Sequence, residues 1–341
     1  MDRKNIILKI GVELCRLLIG VVFVFSGFVK AVDPMGGAIK IGEYLASFGL
    51  EKLQPFTVLL SFNLSAIEFA LGVCMLLGVY RRYVSFLILA FMAFMTPLTL
   101  YLALFDPVSD CGCFGDALVI SNWETFFKNI ILSLAAIVTF VYNQRLFQCF
   151  TFRAYWFVAL YAYLFGVGFA YYNYNHLPVI DFRPYKIGAN IPQLMEMPEG
   201  APQDEYKYTF VYEKDGVKKE FSLEDYPAND SSWTFVDSKT ELVKKGYQPP
   251  VAAFNIYNGK GDDVTEEIIG NPDPVLLLVA PKLEDADDGQ MDEINGVYDY
   301  ALEHDIPFYC VTGSSPEAID AWSDNTGAEY PFRMADGGLL K

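Results

Sequence analysis

Five residues carry most of the chemistry this sequence can do: Arg16, Lys30, Glu68, Cys111 and Cys113. Cys111 and Cys113 are separated only by Gly112, so a disulfide between them closes a small ring whose preferred dihedral near 90° is hard to reach. Gly112 relieves part of that constraint by admitting unusual backbone angles. A bond so placed is easily reduced, which makes it an oxidant rather than a staple. Asp110 and Asp116 count against a reactive thiolate, because nearby negative charge raises a thiol pKa. Lys30, near the outer end of the first helix, is the nearest counter-charge. Two other chemistries stay open: a metal site using the cysteines with Asp110 or Asp116, and a structural disulfide or packed thiol pair. His176 and His304 are the only histidines.

The elements that must hold these residues are membrane helices. The chain has 341 residues, of which 53% are hydrophobic and 16% aromatic, and its mean hydropathy is +0.24. The formal net charge is nevertheless −17. Residues 1–179 hold 12 Lys and Arg against 10 Asp and Glu, whereas residues 180–341 hold 13 against 32. An apolar, nearly neutral front half and a polar, acidic back half exclude an ordinary soluble enzyme, a disordered chain and a disulfide-dense mini-domain. The acidic half also repels phosphates, which argues against nucleic acid as a partner.

Five stretches are long and apolar enough to span a bilayer as helices: Ile10–Val32, Phe56–Tyr80, Tyr83–Phe105, Trp123–Tyr142 and Phe152–Asn173. Arg3, Lys4, Lys9, Arg81, Arg82, Arg145 and Arg153 flank one side, which places the N-terminus in the cytoplasm. The loop Asp106–Asn122 has no basic residue and faces outward, as does everything after about Tyr174. Lys30, Lys40 and Lys52 dissent from that pattern. Cys15, Cys74 and Cys149 then fall toward the cytoplasm, and Cys310 reads as a small hydrophobe in a strand. Only Cys111 and Cys113 share an exposed loop on the oxidising side.

On the first helix Glu13, Arg16, Gly20, Phe23, Gly27 and Lys30 recur every three or four residues, along one face. Ser61, Ser65, Glu68 and Gly72 make a similar small, polar face on the second. Glu68 lies near mid-span, where an ionisable group is a functional candidate or a device that fixes helix register. Segment counting puts Arg16 about 8 Å from it in depth and makes Arg16 its expected partner. Pro97 is expected to kink the third helix. Ser121-x-x-Glu124 is a capping-box pattern opening the fourth.

The run Arg16-x3-Gly20-x2-Phe23-x2-Ser26-Gly27-x2-Lys30-x2-Asp33-Pro34, continued by Glu68, Gly72 and Gly78, resembles the DoxX family of bacterial membrane proteins. Asp110-Cys111-Gly112-Cys113-Phe114-Gly115-Asp116 resembles the CGCFG loop of the related MauE-like proteins. The likeness covers roughly residues 8–145. It implies a four-helix membrane core over residues 1–150, to which residues 151–175 add a fifth helix. It further implies a redox role or one in maturation of extracytoplasmic proteins, as MauE is linked to a disulfide-rich methylamine dehydrogenase.

Behind the membrane part, Gly188–Gln203 reads as a linker within a linker and β-rich segment, 176–248. Tyr206–Ser222 alternates around Lys214-Asp215-Gly216 as a hairpin. Pro274–Ala280, Asp288–Glu303, Pro307–Thr312 and a helix opening near Ser315 give a β-α-β-α order with a parallel pair. Over residues 249–341 this looks like a thioredoxin-like domain. It lacks Cys-x-x-Cys, reading Pro281-Lys282-Leu283-Glu284-Asp285 instead, and reaches Lys341 before the closing strands and helix of such a domain.

The expectation is therefore a multi-pass protein of the bacterial inner membrane: an α-helical bundle followed by an α/β extracytoplasmic domain. Cys111 and Cys113 are its exchanging pair, with Glu68, Arg16 and Lys30 in support. Its partners are the lipid bilayer and a periplasmic thiol protein, a membrane quinone is the candidate cofactor, and no metal is assigned. A non-enzymatic scaffold that docks a periplasmic partner through the acidic domain is the alternative. A transporter using the Glu68 region is the third.

Overall fold

A computed structural model describes residues 3–335 except 106–107, 109–110, 199, 203–204, 215–216, 223–232, 245, 248, 250 and 252–253. The chain forms two compact units, Met1–Arg183 and Pro184–Lys341.

The first unit is built from α1 (Arg3–Val32), α2 (Pro34–Ser47), α3 (Thr57–Leu77), α4 (Arg81–Phe105), α5 (Asn122–Val141) and α6 (Tyr155–Asn175). Among the described residues, four helical stretches are long and apolar enough to cross a membrane: Glu51–Leu77, Arg81–Phe105, Asn122–Val141 and Phe152–Asn175. Much of their apolar surface points outward, Leu59, Phe94, Ile131 and Leu164 among it. Outward apolar side chains are what a helix surrounded by lipid presents. α1 is the most charged of the long helices and packs chiefly against α3, and also against α5 and α6. Its striped face turns inward as the spacing predicts: Arg16, Gly20, Phe23 and Gly27 are buried. So are Ser61, Ser65, Glu68 and Gly72 on α3.

Glycine sets the distance between these two helices. A Cβ on Gly27 would press on the Phe69 amide nitrogen and lie 2.7 Å from the Ser65 carbonyl oxygen. Only a residue without a side chain allows backbones that close. Ile19, Met75, Ile88 and Ala136, from four different helices, close the core beside them.

Two local devices aim the cysteine loop. α2 begins at Pro34, with the Asp33 carboxylate accepting the Gly36 N–H at 2.9 Å. This short helix, read in the sequence as a loop, takes up Lys40 and so accounts for part of the dissenting charge. α5 opens with the predicted capping box. The Ser121 hydroxyl accepts the Glu124 N–H at 3.3 Å, and the Glu124 carboxylate accepts the Ser121 N–H at 3.0 Å. Pro97 stands inside α4, where the Thr99 hydroxyl donates to the Met95 and Thr96 carbonyls.

In the second unit, Ile191–Met195 forms α7 within the expected linker Gly188–Gln203. Asn190 caps it by accepting the Gln193 N–H at 3.2 Å, and Pro192 stands in its first turn, where a missing N–H costs nothing. β1 (Glu205–Lys214) pairs antiparallel with β2 (Val217–Ser222) and with β3 (Thr234–Lys244). The predicted hairpin is present, and its turn residues Asp215 and Gly216 lie outside the described residues. A second sheet has the order β4-β7-β6-β5, made of β4 (Ile256–Tyr257), β5 (Leu276–Ala280), β6 (Phe308–Thr312) and β7 (Phe332–Ala335). β5, β6 and β7 run parallel and β4 is antiparallel to β7. The short α8 (Thr265–Ile269) precedes β5, α9 (Met291–Glu303) links β5 to β6, and α10 (Pro316–Thr326) links β6 to β7. The parallel pair and both helices were legible in the sequence.

Candidate functional site

The loop before α5 brings Cys111 and Cys113 together, with their Sγ atoms 2.7 Å apart. Gly112 between them has φ = 63°, in the left-handed region where a side chain is disfavoured. The Lys40 stem also lies over it, 3.2 Å from where a Cβ would stand. Three elements pin the loop by its carbonyl groups. Tyr44 of α2 donates its hydroxyl to the Cys111 carbonyl at 2.7 Å. Ser26 of α1 is 2.7 Å from the Cys113 carbonyl, and Asn122 of α5 donates to the Val108 carbonyl at 2.9 Å. Both cysteines are buried, at 7% and 9% exposure, which corrects the expectation of an exposed pair: Tyr44, Ser26 and Asn122 draw the loop inward.

Beneath the loop lies an ion pair. Lys30 donates to the two Glu68 oxygens at 2.7 and 2.8 Å. Glu68 is 2% exposed, so the pair satisfies a carboxylate that would otherwise be stranded in a dry interior. Lys30 also lies 3.2 Å from the Ser26 hydroxyl, which is in turn 2.7 Å from Glu68 Oε2. Ser26 has one proton for two acceptors, Glu68 and the Cys113 carbonyl. It is the hydrogen-bonded link between the buried charges and the cysteine loop.

Arg16 is not the partner of Glu68. It pairs with Glu13 at 2.6 Å and donates to the carbonyls of Met75 and Leu76. The close glycine contacts set the antiparallel register so that Arg16 is level with Leu76. That is eight residues from Glu68 along α3, about 12 Å at the helical rise. Glu13 accepts the Phe147 N–H as well, so Glu13 and Arg16 tie the α1 stripe to the far end of α3. Lys30, expected to act on the thiols directly, spends its charge mainly on Glu68.

Sequence reasoning named Ser26 only within the resemblance motif, without a role, and missed Tyr44 and Lys128. Lys128 on α5 sits 4.2 Å above the Phe114 ring and shares a small cavity with Cys113, Ser26, Lys30 and Glu68. Ser26 was within reach, being one turn before Lys30 on the same helix. Lys128 gave no signal beyond being a lysine inside an apolar run. On the other side of the pair, a cavity of about 480 Å³ opens between α2, α3 and α4. Phe91, Phe94, Met95 and Leu98 line it together with Lys30, Glu68, Tyr44 and both cysteines.

The two thiols are unequal. The hydrogen bond from Cys111 holds the Cys113 thiol down at about 6, against burial, and Lys128 and then Lys30 pull the same way. Holding the shared proton, together with burial, pushes the Cys111 thiol well up. Asp116, expected to oppose a thiolate, stands within electrostatic reach of Arg183. Asp106 and Asp110 lie outside the described residues. Among the described residues no group of three or more His, Cys, Asp and Glu side chains is placed to hold a metal ion. In the second unit Cys310 is fully buried, and burial pushes its thiol up to about 12; such a cysteine is inert.

These features define a multi-pass helical membrane protein with a cysteine pair held over a buried ion pair. Residues 8–142 match the family described as Methylamine utilisation protein MauE, which supports a MauE/DoxX-like membrane family for this region. Residues 206–245 match a domain of unknown function (DUF8463). No curated protein and no solved structure matches the chain.

Proposed function

We propose that the membrane unit is a thiol–disulfide exchanger that takes electrons from extracytoplasmic thiols through Cys111 and Cys113 and passes them to a carrier in the lipid. The observation that carries this reading is the pair of facing sulfurs that line the 480 Å³ cavity. In this reading α1 is a fifth span, its outward Ile10, Leu14, Leu17 and Val21 meeting lipid. The N-terminus is cytoplasmic and the loop and second unit face the periplasm of the bacterial inner membrane.

In the exchange step the substrate's thiolate attacks one sulfur of the loop disulfide, and the other leaves as a thiolate. The substrate's second thiolate then displaces the loop sulfur. One disulfide forms for each that breaks, and two electrons reach the loop pair. The cavity would suit a quinone, with Phe91, Phe94 and Met95 to hold a ring beside the polar Lys30 and Tyr44. A quinone held there would supply a two-electron, two-proton acceptor. The Lys30–Glu68 pair, with Ser26 between it and the loop, would be a route for those protons.

The second unit, of thioredoxin-like pattern without its dithiol, serves as a docking module for the protein being oxidised or matured. A purely scaffolding role is the second reading, favoured by the sealed Cys310 and by the acidity of this region. Thiol trapping in intact membranes after controlled reduction tests the proposal. Cys111 and Cys113 are expected to cycle together at physiological potentials, and Cys111→Ser to abolish oxidation of a dithiol substrate. Unchanged turnover in that variant rules out the exchange reading. Recovery of a basic partner regardless of both cysteines supports the scaffold instead.

A further inference from the structure

Lys30 and Lys128 both face Cys113, yet they leave different charges behind. Lys30 is neutralised at close range by Glu68. Among the described residues Lys128 has no carboxylate within ion-pair distance, and its ammonium group rests on the Phe114 ring. A half-buried lysine one and a half turns into an apolar helix ordinarily extends its amine to the membrane surface. Here it is turned instead toward the small cavity of about 30 Å³ that it shares with Cys113 and Asn129. Cys111 does not line that cavity, although both cysteines pack in one cluster with Leu102 and Val108.

We propose that Lys128 is a positioning residue that makes Cys113 the leaving sulfur of the loop disulfide and so directs the incoming thiol to Cys111. This rests on the exchange reading above. The attacking thiolate forms a new S–S bond to Cys111 Sγ as the Cys111–Cys113 bond breaks. The electron pair of the broken bond stays on Cys113 Sγ, opposite the Lys128 ammonium. A leaving sulfur that holds negative charge more readily departs faster. When the substrate's second thiolate completes its disulfide, Cys111 departs and takes up a proton. Both electrons and that proton come from the substrate, so this half-reaction needs no other oxidant.

The charged and titratable groups around Cys113 are Lys30 on α1, Lys40 and Tyr44 on α2, Glu68 on α3, Lys128 on α5, and Cys111 and Asp116 in the loop itself. Lys30 and Glu68 cancel as a pair, and those on α2 line the larger cavity, which both cysteines share, and not the small one. Lys128 is then the net positive charge in the small cavity that Cys113 lines and Cys111 does not. Removing it destabilises the thiolate, so the Cys113 titration moves to higher pH.

The test uses the full chain in lipid nanodiscs, reduced and then pulsed with iodoacetamide across pH 5 to 9, with each cysteine quantified by peptide mass spectrometry. Cys113 is expected to label with a midpoint below that of Cys111. Lys128→Met should raise the Cys113 midpoint by about one unit, an approximately tenfold loss of labelling rate below the original midpoint. Lys128→Arg should restore it. An unmoved midpoint in Lys128→Met, or a fall in labelling by the same factor at every pH, overturns the assignment. Oxidation of dithiothreitol is read in parallel. A wild type that fails to oxidise it while Cys113 still titrates low, and still responds to Lys128, overturns the exchange reading alone. Normal turnover with an unmoved midpoint overturns the Lys128 assignment alone.

Discussion

Lys30→Met is expected to destabilise the membrane unit by about 3–5 kcal/mol, the usual consequence of leaving one member of a buried ion pair without the other. Glu68 would keep only the Ser26 hydroxyl as a donor, and that proton is shared with the Cys113 carbonyl. A lone carboxylate at 2% exposure must then either draw in water or take up a proton. Either response loosens the floor of the cysteine loop. Glu68→Met should be similarly damaging, because it strands the Lys30 ammonium among Phe91, Met92 and Leu132. The double variant Lys30→Met, Glu68→Met should be much less harmful than the sum of the two. It removes both charges, keeps apolar volume, and leaves Ser26 satisfied by the Cys113 carbonyl. Thermal unfolding of the four proteins in one detergent forms the double-mutant cycle that reads the coupling. A double variant as unstable as the two losses added would mean that the charges do not act on each other. Dithiol turnover separates structure from function: a double variant that is folded but inactive assigns the pair to proton transfer, and a folded, active one assigns it to register alone.

What was legible in the sequence follows from how local the determining physics is. Helix faces depend on spacing within one segment, so the stripe from Glu13 to Lys30 and the Ser61–Gly72 face were readable residue by residue. The capping box at Ser121 and the parallel β-α-β order were readable for the same reason. The pairing of Glu68 was not, because it depends on how α1 slides along α3. Apolar-run boundaries place Arg16 nearest, whereas the glycine contacts at Gly20, Gly27 and Gly72 set a register that brings Lys30 to Glu68. α2 went unseen because its 14 residues are interrupted by Gly36, Gly37 and Gly42, which read as loop. It nevertheless supplies Tyr44 to the site. Lys128 was hidden by the opposite effect: one lysine in an apolar helix looks like a side chain reaching for the surface. Only the position of Phe114, set by the turn after Gly112, shows where its charge is held.

Gly27→Ala and Gly11→Ala make the same chemical change on the same helix and are expected to have opposite effects. A Cβ on Gly11 meets nothing within 4 Å, so alanine there should be neutral or stabilising by about 0.5–1 kcal/mol through reduced backbone freedom. A Cβ on Gly27 meets the Phe69 nitrogen and, at 2.7 and 2.8 Å, the Ser65 oxygen and the Phe69 Cα. All three are backbone atoms of a packed helix and cannot rotate away. Relief requires α1 to move off α3 as a body, and overpacking of this kind costs about 1–3 kcal/mol. The movement has a second consequence, because Ser26 and Lys30 flank Gly27 on the same helix. Lengthening the contacts of Ser26 to the Cys113 carbonyl and of Lys30 to Glu68 unpins the loop, so the two sulfurs should lose their fixed approach. Gly27→Ala should therefore lower the unfolding temperature and slow re-formation of the Cys111–Cys113 disulfide after reduction. Gly11→Ala should leave both unchanged or slightly improved. Equal unfolding temperatures and equal reoxidation rates in the two variants would mean that α1 and α3 do not approach as closely as their backbones are placed. The coupling of helix spacing to cysteine chemistry would fall with that result.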